Sequence, residues 1–199
     1  DLSNPEHVYQ VLHPDLRPDF PALRSLEPTP NNLPQQLTSF IGREREVTEA
    51  TELLQRTRLL TLLGMGGLGK TRLSLQIAAD MMDAYPDGVW FLDFAPIRDP
   101  SLVPNEAGQV LCVREEPGKP LTQTLCAHLK SRKALLIFDN CEQVVSACAT
   151  LANALLRAAP DIRIIASTRE ALRVPGEQVY PVLPLALPDP AASVETLSQ

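Results

Sequence analysis

Gly64-Met65-Gly66-Gly67-Leu68-Gly69-Lys70-Thr71 decides how the rest of this 199-residue chain reads. The stretch fits G-x-x-x-x-G-K-[ST] at every fixed position, and each fixed residue type has a physical reason. Glycines let backbone N–H groups curl around phosphate oxygens, while the helix that follows presents its positive N-terminal end to the same anion. Lys70 is placed to supply a point charge to β- and γ-phosphates, and the Thr71 hydroxyl to ligate Mg²⁺. Gly64, Gly66, Gly67, Leu68, Gly69, Lys70 and Thr71 are therefore the candidate phosphate contacts, with Arg72 beside them. By composition, a chance match in a chain of this length is on the order of one per cent. The competing reading is a Gly-rich turn that binds nothing. Context argues against it. Leu59-Leu60-Thr61-Leu62-Leu63 before the loop reads as a buried parallel strand, and the pattern from Lys70 to Asp83 after it reads as a helix.

Outward from the loop the alternation continues. Val89 to Phe94, Ala134 to Asp139 and Ile162 to Ser167 are apolar strand patterns, and Gln178 to Leu183 is a last strand candidate. Helical patterns cover 41–58, with Val47, Ala50, Leu53 and Leu54 on one face, then 99–111, 121–131 and 143–159. Strands alternating with helices of this length predict an α/β fold, a central parallel sheet with helices on both faces. Proline is the compositional outlier. Of 19 prolines, seven fall in the first 34 residues and six in the last 40, so the domain is expected in between. The spacing of Pro14 to Pro34 predicts an extended linker, and everything after Pro175 is proline-punctuated.

Lys and Arg number 18 against 24 Asp and Glu, a net charge of -6 with no basic block, which disfavours a nucleic-acid surface on this segment. Cys112, Cys126, Cys141 and Cys148 form no C-x-x-C pair, and His7, His13 and His128 are scattered. Neither a zinc pattern nor a secreted disulfide framework results, which favours a reducing, cytoplasmic setting with the cysteines as small core residues. No run approaches the ~18 apolar residues of a membrane span, and no signal peptide opens the chain. A start at Asp1 rather than Met predicts a piece of something longer.

Three further motifs bear on chemistry. Asp139 ends an apolar strand, where a carboxylate can hold magnesium at the carboxyl ends of a parallel sheet. Asn140 and Gln143 also have capping-box spacing, so a helix start explains the same stretch. Asn140 stands where many P-loop ATPases have a second acid, and an amide cannot act as a base, which leaves Glu142 as the nearest carboxylate for a catalytic role beside Lys70 and Asp139. Ser167-Thr168-Arg169 follows the next strand, so that Arg169 can read a γ-phosphate; Ser167 and Glu170 again offer a cap as the alternative. Phe40-Ile41-Gly42-Arg43-Glu44 is a turn entering a helix, and beside a nucleotide site it becomes a candidate base and ribose contact. The N-K-x-D signature of GTPases, the LSGGQ signature of ABC transporters and a kinase H-R-D are absent.

Taken together, F-I-G-R-E, G-M-G-G-L-G-K-T, L-L-I-F-D-N-C-E and I-I-A-S-T-R-E-A-L resemble the STAND signal-transduction ATPases, and within them the NB-ARC-like branch of large bacterial regulators. The resemblance runs from about Leu37 to Leu187. It implies a P-loop NTPase domain over residues 37–188 that binds ATP or ADP with Mg²⁺, hydrolyses ATP slowly and acts as a switch. By motif match it carries Ile41 and Arg43 over as adenosine contacts, Gly64 to Thr71 as the phosphate loop, Thr71 and Asp139 as metal ligands, and Arg169 as the sensor. It also implies work on other domains of the parent chain, self-association in the ATP-bound form, and neither membrane nor direct nucleic-acid contact by this segment. Pro184-Leu185-Ala186-Leu187 is similar to the family's GLPL motif but falls too early, and reads as a connector; residues 189–199 are expected to lead to helical and winged-helix domains. Residues 1–36 are expected to hold the linker and, at Asn4 to Leu12, a stretch that resembles the last strand of an adenylate/guanylate cyclase domain. A constitutive ATPase motor and a DNA-binding regulator with its helix-turn-helix elsewhere are the alternatives.

Overall fold

The computed structural model describes residues 29–35 and 40–185. The cyclase-like stretch at Asn4 to Leu12, most of the proline-rich linker and the segment 186–199 lie outside the described residues. Five strands, β1 (Leu59–Leu63), β2 (Val89–Asp93), β3 (Leu135–Asp139), β4 (Arg163–Thr168) and β5 (Glu177–Pro181), form one sheet in the order β2-β3-β4-β1-β5. Every pairing is parallel. The sheet is therefore the one expected, and β4, the strand leading to Arg169, lies between the strand of the phosphate loop and the strand of Asp139.

Two cores cover the sheet. Alternate residues of each strand point to opposite faces, so Leu60 and Leu62 of β1 pack with Leu135 and Ile137 of β3 on one side, against α1 (Glu44–Arg56) and α2 (Lys70–Asp80). Leu59, Leu136, Phe138, Ile164 and Ala166 face the other side, against α3 (Val103–Val110), α4 (Leu121–Leu129) and α5 (Val145–Ala158). The Phe94 and Phe138 rings pack nearly perpendicular at a centroid distance of 5.4 Å in this second core. All five residues of β3 are buried, as a strand covered on both faces requires.

The helices are shorter than their sequence patterns. The pattern from Lys70 to Asp83 ends as a helix at Asp80, followed by a 3₁₀ turn at Met82–Ala84. The 99–111 pattern divides into a 3₁₀ turn, where the Asp99 carboxylate accepts from Ser101 N at 2.9 Å, and α3. Neither expected capping box forms. Asn140 adopts a left-handed conformation with φ 57°, its side chain caps nothing, and α5 starts only at Val145 after a 3₁₀ turn at Cys141–Gln143. Ser167 lies within β4, and no helix starts at Glu170, where the described chain continues through a turn to β5. In both places the polar side chain has a stronger use across the sheet.

Residues 30–33, within the stretch that composition marks as linker, lie along the edge of the sheet. Pro30 O accepts from Val89 N at 2.9 Å, and the Asn32 amide brackets Phe91, accepting from its N–H at 2.6 Å and donating to its carbonyl at 2.8 Å. Leu33 packs against the core on the α1 and α2 side. An edge strand presents unpaired N–H and C=O groups that need partners. This segment supplies some of them to β2.

Candidate functional site

The loop Gly64–Gly69 leaves the carboxyl end of β1 and enters α2 at Lys70. Gly69 is the N-cap with φ 80°, a conformation that glycine adopts without penalty, and no side chain caps the helix. The first N–H groups of α2 therefore remain directed at the cleft, where an anion can satisfy them. Gly64 is needed for a different reason: a Cβ there would stand 2.9 Å from Val182 O and 3.0 Å from Leu68 Cδ1. Lys70 is 7% exposed, and its ammonium donates to Gly64 O at 2.8 Å and Met65 O at 3.0 Å, which pins the loop over the helix start.

At the end of β3 the Asp139 carboxylate is buried and collects donors from three directions. The Thr71 hydroxyl donates to Oδ1 and Oδ2 at 3.0 and 2.9 Å, the Ser167 hydroxyl donates to Oδ1, and the Asn140 amide donates to Oδ2 at 2.9 Å. The same Asn140 amide donates to Asp93 Oδ1 at 3.1 Å, and Asn140 N donates to Ser167 Oγ at 3.0 Å. Burial pushes the Asp139 carboxyl above its usual range; bonds from Ser167 and Thr71 oppose the rise, and the Asp93 and Glu142 charges add to it. Among the described residues, no group of three or more His, Cys, Asp or Glu has metal-holding geometry. A hydroxyl beside one carboxylate is instead the hard-oxygen donor set that suits Mg²⁺ shared with phosphates.

The 3₁₀ turn after β3 carries Glu142 into the cleft. Its Oε1 lies 3.8 Å from Lys70 Nζ and 3.7 Å from Arg169 Nε. Arg169 follows β4 and reaches over the loop, its Nη2 3.1 Å from where a Gly66 Cβ would stand. Gly66, Gly67, Gly69, Lys70, Thr71, Arg72, Asn140, Glu142 and Arg169 line one cleft of about 420 Å³, with Ala95, Arg98 and Gln143 completing it. A second cleft of about 440 Å³ shares Gly67, Gly69 and Arg72 with the first and adds Phe40, Ile41, Arg43, Leu68, Pro184 and Leu185. The two clefts meet across the phosphate loop.

Ile41 is 78% exposed on the wall of the second cleft. Arg43 is only 5% exposed, and its guanidinium is committed to the protein: Nη2 donates to Leu68 O at 3.0 Å and Leu183 O at 2.9 Å, and Nη1 pairs with Glu46. It ties the entrance of α1 to the loop and to the strand exit. Leu68 serves the same junction, with its carbonyl on Arg43 and its methyl under Gly64. Of the candidate site residues, Ile41, Arg43, Gly66, Gly67, Leu68, Gly69, Lys70, Thr71, Arg72, Glu142 and Arg169 line the two clefts, whereas Gly64 and Asp139 line neither and connect to them through Lys70 and Thr71. Five residues were missed in these roles: Ser167 and Asn140 as direct partners of Asp139, Asp93 behind Asn140, and Pro184-Leu185 as a cleft wall rather than a plain connector. An Asn directly after a strand-ending Asp was a usable signal for a left-handed turn. The other contacts arise only from strand order.

A parallel sheet wrapped on both faces by helices, with a glycine loop and lysine at the carboxyl end of one strand and an aspartate at the end of another, has the fold of the P-loop ATPases. Solved structures of that class agree with it. Cdc6p from Pyrobaculum aerophilum matches with TM-score 0.53 and 18% identity over 76% of this chain and 47% of that one. A signal transduction ATPase with numerous domains (STAND) protein with a tetratricopeptide repeat sensor, from Pyrococcus horikoshii, matches with TM-score 0.54 and 14% identity over 74% and 24%. At these identities the likeness is one of fold. No family model matches the sequence. An uncharacterised protein of Mycobacterium tuberculosis is 34% identical over 184 residues, covering 92% of this chain and 46% of the relative. A Mycobacterium tuberculosis protein named "Putative HTH-type transcriptional regulator" is 37% identical over 142 residues, 71% of this chain and 16% of that one. The chain thus spans less than half the length of these curated relatives. Among the described residues no helix is long and apolar enough to cross a membrane.

Proposed function

We propose that residues 37–188 are the nucleotide-binding domain of a STAND-type switch of the NB-ARC-like branch, which binds ATP or ADP with Mg²⁺ and hydrolyses ATP slowly. The observation that carries the proposal is the Thr71–Asp139 pair, a helix-borne hydroxyl bonded to a buried strand-end carboxylate beside Lys70 and an uncapped helix N-terminus. Gly67 and Gly69 fit the phosphates, since each has a left-handed φ of 80° and open space where a side chain would stand. Lys70 and Arg169 would take the β- and γ-phosphates, Thr71 and Asp139 the metal, and Ile41, Leu68 and the Arg43-bound wall the adenosine. Bound Mg²⁺ neutralises phosphate charge.

Slow turnover is proposed because the two candidate carboxylates of the site, Asp139 and Glu142, are already engaged. Asp139 holds three donors, Asn140 offers an amide, and Glu142 faces two cations. On this reading residues 1–36 hold the end of a preceding domain, of cyclase type, and the proline-rich linker, and residues 189–199 lead to further domains that respond to the γ-phosphate, in a cytoplasmic protein that self-associates when ATP-bound. A transcriptional role, with DNA contacted by a helix-turn-helix elsewhere in the parent, draws support from the name of the M. tuberculosis relative. Purified protein should retain ADP and turn over ATP at below about one per minute; turnover near the ~10 per second typical of enzymes would replace the switch with a constitutive motor.

A further inference from the structure

We propose that Glu142 sets the preference of this site for ADP over ATP, by standing as the protein's own counter-anion to the two cations that a γ-phosphate would engage together. The inference rests on the nucleotide-binding reading above and adds a specificity determinant to it.

One carboxylate oxygen, Glu142 Oε1, lies within 4 Å of both Lys70 Nζ and Arg169 Nε. Those cations come from different elements, Lys70 from the start of α2 and Arg169 from the end of β4, so Glu142 is the link between the two sides of the cleft. Two of the three ammonium donors of Lys70 go to Gly64 O and Met65 O, which leaves Glu142 as the anion it faces. The Glu142 side chain is 19% exposed, so its charge is screened less than that of a surface carboxylate. Its position is fixed by the turn that carries it: Asn140 N is held by Ser167 Oγ, the Asn140 amide by Asp93 and Asp139, and Val144 N by Cys141 O at 3.0 Å. Asp93 and Asp139 also lie at this end of the sheet. A third phosphate therefore adds negative charge where a carboxylate already occupies the cations, whereas a diphosphate brings less charge to the same field. Like charges at close range in a partly buried cleft repel by more than thermal energy.

The experiment is calorimetric titration of the chain with ATP and with ADP, each with and without Mg²⁺, for wild type, Glu142→Gln and Glu142→Ala. Gln keeps the shape and removes the charge; Ala removes the charge without placing an amide. Both variants should tighten ATP about tenfold and ADP, whose β-phosphate still meets Lys70, by no more than about threefold, so that the ATP-to-ADP affinity ratio rises at least ~3-fold. An unchanged ratio, or equal shifts for both nucleotides, would overturn the proposal and leave nucleotide binding intact. Wild-type protein that binds neither nucleotide would overturn the nucleotide-binding reading itself and this inference with it. Thermal unfolding accompanies each titration: a counter-ion can be removed from a folded protein, so loss of the fold in both variants also counts against the proposal.

Discussion

On the side of the cleft proposed to hold phosphates, polar side chains fix one another. Asp139 holds Thr71, Ser167 and Asn140, Asn140 reaches on to Asp93, and Glu142 spans Lys70 and Arg169. The side proposed to hold the base is assembled differently. Its walls come from three separated pieces of chain, Phe40-Ile41, the loop and Pro184-Leu185, and one buried guanidinium, that of Arg43, joins them through backbone carbonyls. The difference follows from where the elements lie. β3 and β4 are hydrogen-bonded neighbours, so side chains at their ends are brought together by the sheet itself. The base side lies at the margin, where α1 begins and β5 ends, and has no ladder to position it. A redundant network tolerates the loss of one member, whereas a single tie does not.

Arg43→Ala is the strongest way to break that contrast. It leaves Leu68 O and Leu183 O without their buried donor, and a total loss of about 1–3 kcal/mol is expected in chemical denaturation, with the exit after β5 becoming the first site of limited proteolysis. A stability unchanged from wild type would show that the base side has other ties. Gly64→Ala is expected to cost about 1–3 kcal/mol, because the new methyl meets backbone at Val182 O. Gly66→Ala should cost less than about 1 kcal/mol, since its nearest neighbour is the end of the Arg169 side chain, which can move. Comparison of the two melting curves checks the order.

Asp139→Asn sharpens the account of the buried carboxylate. With its pKa raised by burial, the folded protein holds the Asp139 proton to higher pH than the unfolded chain does. Its stabilising contribution is therefore complete below the ordinary aspartate value of 3.8 and is lost as pH rises through the folded value. The unfolding free energy of wild type minus that of the variant should fall as pH rises from about 4 to 7. A difference that grows with pH would mean that the hydrogen bonds outweigh desolvation. The smallest effect is expected at Ile41→Ala, whose exposed side chain should leave stability within about 0.5 kcal/mol of wild type while weakening nucleotide binding a few-fold. Unaltered binding would remove Ile41 from the adenosine contacts.

Most of the sheet was legible because buried parallel strands leave continuous apolar runs, as at Leu59 to Leu63 and Leu135 to Phe138. The loop was legible because phosphate binding restricts residue types so tightly. What escaped depends on contacts between distant parts of the chain. Ser167 and Asn140 each sit at a spacing that also makes a helix cap, and only the adjacency of β3 and β4 turns both toward Asp139. Pro184-Leu185 becomes a cleft wall because β5 pairs with β1, and no local pattern encodes that pairing. Helix ends were misjudged at Asp80 and Val145 for a related reason: short 3₁₀ turns complete the apolar periodicity without continuing the helix.

The central claim is that the loop at the end of β1 binds a nucleotide through Lys70. Titration of ATP and ADP into wild type and Lys70→Ala, with circular dichroism to confirm that both are folded, tests it most directly. Wild type should bind, and the variant should lose affinity by more than about 100-fold, because it lacks the ammonium that both pins the loop and faces the phosphates. Equal affinity in a folded Lys70→Ala protein would contradict the account.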